Sequence, residues 1–258
     1  MPPGEHAPPR GPYEQAAPPG TYEHPVPPGQ YDQAAPSGPY EPVDPSSPYE
    51  PVDPSSPYQQ VDPPGPYDAV VLAGGGARRL GGGDKPGVSV GGLTLIERVV
   101  ASVPDAVRLV VVGPERPGLA GAEFVREDPP GGGPVPALRA GLARVSSPWV
   151  ALLAADLPFL LTGHVKALRA AAGPRPGAVL VDDGGREQWL TGVWRTDALA
   201  GALAAYDGRS LYGLLGPLEP VRLSLVVGDD GRVPWFDCDT FDDVSDARKR
   251  FPSVTDKR

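Results

Sequence analysis

The chain has 258 residues and a formal net charge of -9, but residues 1–66 hold nine acidic side chains against Arg10 alone, while residues 67–258 balance 22 Lys and Arg with 23 Asp and Glu. That near-neutral remainder has the size of one domain, and nucleic acid is not among its expected partners. A single cysteine, Cys238, excludes an intrachain disulfide and a cysteine metal cluster; without an apolar h-region after MPPGEHAPPR, or any apolar run near the ~18 residues of a membrane span, the expectation is a soluble, cytoplasmic protein with no membrane association.

Residues 1–66 form a Pro/Tyr-rich nonapeptide repeat. Tyrosines recur every nine residues from Tyr13 to Tyr58, the period runs on into Tyr67, and PYEPVDPSS occurs twice in succession. With 21 of the chain's 37 prolines and few aliphatic side chains, this stretch cannot bury enough apolar surface to offset its ordering entropy, so a disordered tail with local polyproline II is predicted. It reads either as a solvated spacer or as a docking segment whose spaced Tyr and Pro engage a protein partner.

From residue 67 onward short apolar runs alternate with helical spacing. Ala69–Ala73 reads as a buried strand that breaks into a segment with six glycines, two arginines and a lysine before Pro86. A helix is predicted over Leu93–Val100 and strands at Arg108–Val112 and Glu123–Arg126. Beyond Gly131–Gly133, Val135–Val145 has helical spacing, and Trp149–Ala154, nearly all apolar, fits a strand covered on both faces. Val165–Ala172 reads as a helix, with His164 in a surface or satisfied role and no plausible catalytic histidine in the chain, and Gly177–Val181 as a strand. Trp189 and Gly192–Trp194 suggest a strand pair near the mouth, Arg209–Leu211 precedes a short helix, and Asp242–Phe251 reads as the last helix. The alternation implies an α/β sandwich with a mostly parallel sheet, preceded by the disordered tail.

In such sheets ligands bind beyond the carboxyl ends of the strands. One strand end opens the glycine segment, where backbone N–H groups can approach phosphate oxygens and Arg78, Arg79 and Lys85 supply charge. A second end carries Asp156, within Ala155-Asp156-Leu157-Pro158-Phe159. An aspartate there either caps the next turn or holds Mg²⁺ against a nucleotide. The glycine segment fits neither of two familiar phosphate motifs. A P-loop would need a glycine before Lys85 and Ser or Thr after it, and a Rossmann fingerprint a third glycine where Arg79 stands.

Leu72–Lys85 resembles the signature L-A-G-G-x-x-x-R-M-G-x-x-D-K of the MobA-like nucleotidyltransferases, the family of the molybdenum cofactor guanylyltransferases, with Leu80 in place of the methionine. GGLTLIERVV (Gly91–Val100), ADLPFL (Ala155–Leu160) and DCDTFDDV (Asp237–Val244) are similar to further segments of that family. The resemblance spans residues 67–258 and omits the tail. It implies a three-layer α/β/α sandwich with a Rossmann-like sheet of the nucleotide-diphospho-sugar transferase type. By likeness, Leu72, Ala73 and Gly74 meet the base and sugar, Gly75, Gly76, Arg79 and Lys85 the phosphates, Asp128 the base or ribose, and Asp156 a Mg²⁺ ion. Asp239, or alternatively Asp237, completes the metal site. The competing role of that last segment is a T-x-x-D capping box, Thr240 to Asp243.

The implied activity is transfer of a nucleoside monophosphate, GMP favoured, from a nucleoside triphosphate to a phosphorylated acceptor of molybdopterin type. Alternatives are another base or acceptor, including CTP and sugar- or phospho-acid types, and a non-catalytic nucleotide-binding regulator. Two departures from the family bear on base and acceptor. Gly113-Pro114-Glu115 stands where the guanylyltransferases carry an asparagine, and GPVPAL at Gly133–Leu138 puts two prolines into an expected loop. Trp189, Trp194 and Trp235 read as core or rim packing, with pterin stacking as the alternative, and Cys238 as a buried, inert thiol.

Overall fold

A computed structural model describes residues 65–74, 84–226 and 230–251; residues 1–64 of the repeat tail lie outside the described residues. The first strand, β1 (Tyr67–Leu72), is buried at every position, and its alternation sorts the protein into layers. Ala69 and Val71 face one core, shared with Ile96 and Val99 of α1 (Leu95–Val100) and Val165 and Leu168 of α3 (Thr162–Ala172). Val70 and Leu72 face the other, with Leu138 of α2 (Pro134–Leu142), Leu199 of α4 (Thr196–Ala204) and Leu215 of α5 (Leu211–Leu215). Period-two side chains between two helical layers make an α/β/α sandwich.

The sheet contains β4 (Leu109–Val112), β5 (Ala122–Val125), β6 (Trp149–Ala154), β7 (Gly177–Val181), β8 (Glu187–Arg195) and β9 (Val221–Leu223) beside β1, in the order β5-β4-β1-β6-β8-β7-β9. All neighbouring pairs are parallel except the two that β8 makes with β6 and β7. Buried Asp68, the one polar residue of β1 whose charge needs a partner, is explained by the turn after α2. It accepts from the Ser146 and Ser147 amides at 2.7 and 3.0 Å and from the Ser147 hydroxyl at 2.8 Å. Burial works to raise its carboxyl, but those hydrogen bonds prevail and hold it below the ordinary 3.8.

Three expected elements differ in detail. Leu93 is not helical: Ser89–Val90 (β2) and Leu93–Thr94 (β3) form a small hairpin, because Gly91 and Gly92 turn the chain at φ 56 and 86° and Thr94 then caps α1 in a reciprocal box with Glu97. Pro134 and Pro136 stiffen no loop; they lie in the first turn of α2, where a missing N–H forfeits no intrahelical bond. Trp189 and Gly192–Trp194 belong to one strand, β8, whose pairing with β7 shifts register between Val179 and Leu180. The last helix, α6, is Phe241–Lys249. Among the described residues no helix is long and apolar enough to cross a membrane.

Candidate active site

The parallel strands end together, and their hydrogen-bond ladder continues one residue further. Gly113 donates to the Val125 carbonyl at 2.8 Å, Ala73 to Val112 at 2.8 Å and Ala155 to Leu72 at 3.2 Å. The chain therefore leaves this edge at Gly74, Pro114, Arg126 and Asp156 side by side, at the carboxyl ends where α/β sheets bind ligands.

A separate small core brings distant segments to this edge. Val90, Leu95, Phe159, Cys238, Val244 and Ala247 pack together, with Phe236 and Phe251 against them; Phe159 stacks on Phe251 at 5.3 Å between centroids. Val90 follows the 3-10 turn Lys85–Gly87, whose Pro86 is buried, Phe159 follows Asp156, and Cys238 sits between Asp237 and Asp239. The Cys238 amide donates to the Asp156 carbonyl at 3.2 Å, which docks the 237–239 segment beside the end of β6.

Lys85 is the result of this convergence. Its ammonium donates to Asp156 Oδ2 and to Asp239 Oδ1, each at 2.5 Å, across 71 and 154 residues of sequence. Burial alone would lower the lysine, but the charge and hydrogen bond of Asp156, then those of Asp239, hold it above its ordinary value. Asp237, exposed and next along, is raised by desolvation first and then by the charges of Asp239 and Asp156. Burial, with Asp156 next in weight, pushes the Cys238 thiol up to about 12, so at neutral pH it is a packed, protonated side chain.

The donor set suits a divalent ion. Asp156 Oδ1 is buried and has no hydrogen-bond partner among the described residues, an expensive state for a carboxylate oxygen unless a cation completes it. Asp156 and Asp239 already share one cationic group. Among the described residues no cluster of three or more His, Cys, Asp or Glu could hold a metal alone; Mg²⁺ characteristically takes one or two carboxylates and fills its octahedron with water and substrate phosphates.

The other expected site residues fall into three groups. Leu72 and Ala73 are buried, at 8% and 4% exposure, so their side chains belong to the core, whereas Gly74 is exposed at the edge. Gly75, Gly76, Arg78 and Arg79 lie outside the described residues. Asp128 is exposed; its neighbour Glu127 is half-buried, and a side chain on Gly74 would meet the Glu127 carboxylate at 3.8 Å. Thr240 and Asp243 do form the capping box of α6, so the segment caps a helix and presents Asp239 to Lys85 at once. Trp194 is fully buried in the core, while Trp189 lies between it and Tyr212 at centroid distances of 6.5 and 6.0 Å.

Sequence reasoning missed Arg116. Its side chain is 9% exposed and reaches Asp84 and the Ala73 carbonyl. It follows the Gly113-Pro114-Glu115 departure, and no spacing or motif distinguishes it.

Comparison with known proteins agrees with this architecture. Residues 69–221 match the model of the MobA-like NTP transferase domain. A molybdenum cofactor guanylyltransferase of Nitrobacter hamburgensis is 31% identical over 203 residues, 70% of this chain and 92% of its own. Among solved structures, 2-C-methyl-D-erythritol 4-phosphate cytidylyltransferase from Thermus thermophilus is 22% identical with a TM-score of 0.53, over 71% of this chain and 98% of that one. Molybdopterin-guanine dinucleotide biosynthesis protein A from Archaeoglobus fulgidus is also 22% identical, with a TM-score of 0.54 over 70% and 97%. At that identity the two structures establish the fold and do not choose between their substrates. With a sheet edge that converges on Lys85, Asp156 and Asp239, and a family match across most of the sheet, the chain belongs to the MobA-like NTP transferase family and is a nucleotidyltransferase.

Proposed function

We propose that this enzyme transfers GMP from GTP to the terminal phosphate of a molybdopterin-type acceptor, with Mg²⁺ bound and pyrophosphate released. The observation that carries the reading is the shared position of Lys85 between Asp156 and Asp239 at the strand edge; the name of the 31% identical relative supports the base and the acceptor. In this reading an acceptor phosphate oxygen attacks the α-phosphorus in line, the bond from that phosphorus to the bridging oxygen breaks, and the electron pair leaves with pyrophosphate. Two anions must approach while charge builds on the leaving group. Lys85 turns its ammonium from the carboxylates toward those phosphate oxygens, and Arg79 and glycine-segment amides supply the further donors that the family resemblance implies. Asp156 and Asp239 would hold Mg²⁺, which would supply charge neutralisation at the phosphates when bound. Holding both substrates in line accounts for about 7 kcal/mol or more of a bimolecular barrier. The nucleophile is already an ionised phosphate, so no general base is needed. His164 takes no part: its Nδ1 accepts from the Leu161 amide at 3.1 Å in the first turn of α3.

One observation favours a second reading, another base or acceptor on the same chemistry. A Cβ at Gly113 would lie 2.9 Å from the Ala73 carbonyl oxygen, so this backbone has no room for a side chain at that position, the first of the three residues that stand where the guanylyltransferases carry an asparagine. Pyrophosphate release screened over the four nucleoside triphosphates, each with a phosphorylated pterin and with phosphorylated sugar or polyol acceptors, separates the readings. Selective turnover of GTP with the pterin supports the first; selective turnover of CTP with another acceptor replaces it with the second.

A further inference from the structure

Arg116 occupies the site edge without touching Lys85, Asp156 or Asp239, and all three guanidinium nitrogens are committed. Nη2 donates to Asp84 Oδ1 at 2.6 Å and to the Ala73 carbonyl at 3.3 Å, Nε to the two Asp84 oxygens at 3.1 and 3.2 Å, and Nη1 to the Pro114 carbonyl at 3.0 Å. Ala73 is the last buried residue before the glycine segment, and Asp84 the residue before Lys85. One planar side chain thus joins the entry and the exit of residues 74–83 and ties both to the loop after β4. A fork of this shape can bind a carboxylate by two nitrogens and still reach a carbonyl, which an ammonium cannot do.

Two further features serve the same contact. The Arg116 side chain is 9% exposed against 53% for Asp84, so the guanidinium is the fixed partner and the carboxylate is drawn onto it. Gly87 makes room: a Cβ there would lie 2.4 Å from Asp84 Oδ2. Asp84 is also the residue before the 3-10 turn that starts at Lys85, and its carbonyl accepts from the Gly87 amide at 3.1 Å. Holding Asp84 therefore fixes where the Lys85 backbone begins.

We propose that Arg116 is a positioning residue that holds Asp84 to the end of β1 through the Ala73 carbonyl, and so sets where Lys85 begins and how it approaches the phosphates. The assignment rests on the nucleotidyltransferase reading above. Arg116 spends its donors on Asp84, Ala73 and Pro114, so it acts through the backbone that leads into Lys85. Losing a charge-assisted bridge of this kind is expected to weaken triphosphate affinity by about 10- to 100-fold, with a smaller effect on kcat at saturation.

The test uses Arg116→Ala, Arg116→Lys, Asp84→Ala and the Asp84→Ala/Arg116→Ala double variant in the full chain, with two readouts. Triphosphate affinity, by calorimetry with GTP and Mg²⁺, is expected to fall in each single variant, with no further fall in the double variant and no rescue by lysine. Pyrophosphate release against triphosphate concentration is expected to show a raised KM with a smaller change in kcat in the same variants. A merely structural role would lower Tm and the folded fraction while leaving the affinity of the folded protein unchanged, and that result overturns the proposal. So does a KM equal to that of the wild type. If the folded wild type binds none of the four triphosphates while Arg116→Ala and Asp84→Ala lower Tm non-additively, the functional reading fails and the contact is supported as architecture.

Discussion

Replacing Lys85 by methionine keeps the length and apolar stem of the side chain and removes its ammonium from between Asp156 and Asp239. Two contacts of 2.5 Å disappear together. The three side chains are 15%, 21% and 47% exposed, so water re-solvates Asp239 readily and Asp156 less well. The stability lost is set mainly by the Asp156 contact and amounts to about 1–2 kcal/mol, within the range for charge-assisted bonds discounted for exposure. For a domain of this size that is a Tm lower by roughly 2–8 °C. The catalytic loss is larger, because in the proposed mechanism the lysine neutralises charge on the leaving phosphates; removing one such donor costs about 10²- to 10³-fold in kcat. The assay is continuous pyrophosphate release at saturating triphosphate and acceptor, normalised to folded protein by circular dichroism. Mn²⁺ binding without nucleotide, followed by electron paramagnetic resonance, should tighten in the variant, since the two carboxylates no longer share a competing cation. A folded K85M protein that releases pyrophosphate at a near-normal rate would refute the reasoning.

Asp156→Asn should leave the fold in place, abolish pyrophosphate release and weaken Mn²⁺ binding in the presence of nucleotide, measured by the same resonance titration. Asp68→Asn should cost about 1–3 kcal/mol in urea unfolding at pH 7, because an amide cannot accept from all three Ser146 and Ser147 donors. The folded Asp68 carboxyl titrates below its ordinary 3.8, so its contribution is present above that value and fades as pH falls through the lowered folded one; wild type and variant should converge in stability below it. Cys238, buried and with its thiol pushed up to about 12, should resist an aromatic disulfide reagent in the native state and react at once in guanidinium. Gly113→Asn should lower Tm, since its Cβ would crowd the Ala73 carbonyl; recovery of stability only when GTP is bound would show that the backbone moves to admit the asparagine.

The sheet was legible because parallel strands buried on both faces are continuous apolar runs: Arg108–Val112 and Trp149–Ala154 correspond to β4 and β6 within a residue. The β2–β3 hairpin was not, because two-residue strands carry no period and Leu93, Leu95 and Ile96 satisfy helical spacing by coincidence. Lys85 and Asp156 stand out in sequence since each follows an apolar strand and a glycine or turn signal. Asp239 was ambiguous. Its neighbours Thr240 and Asp243 carry a complete local capping signal, and only the 3.2 Å bond from the Cys238 amide to the Asp156 carbonyl tells that the helix start also docks at the site. Arg116 was invisible, because a side chain that joins residues 43 and 32 positions away leaves no trace in local pattern.

The claim at the centre of this account is that Lys85, Asp156 and Asp239 form a nucleotidyl-transfer site. Pyrophosphate release by the full chain with GTP, Mg²⁺ and a molybdopterin acceptor, measured beside the Asp156→Asn protein, addresses it most directly. The wild type should show acceptor-dependent release that chelation of the divalent ion stops and that the variant lacks. Equal release by wild type and variant, or none by the folded wild type with any of the four triphosphates and any phosphorylated acceptor, would contradict it.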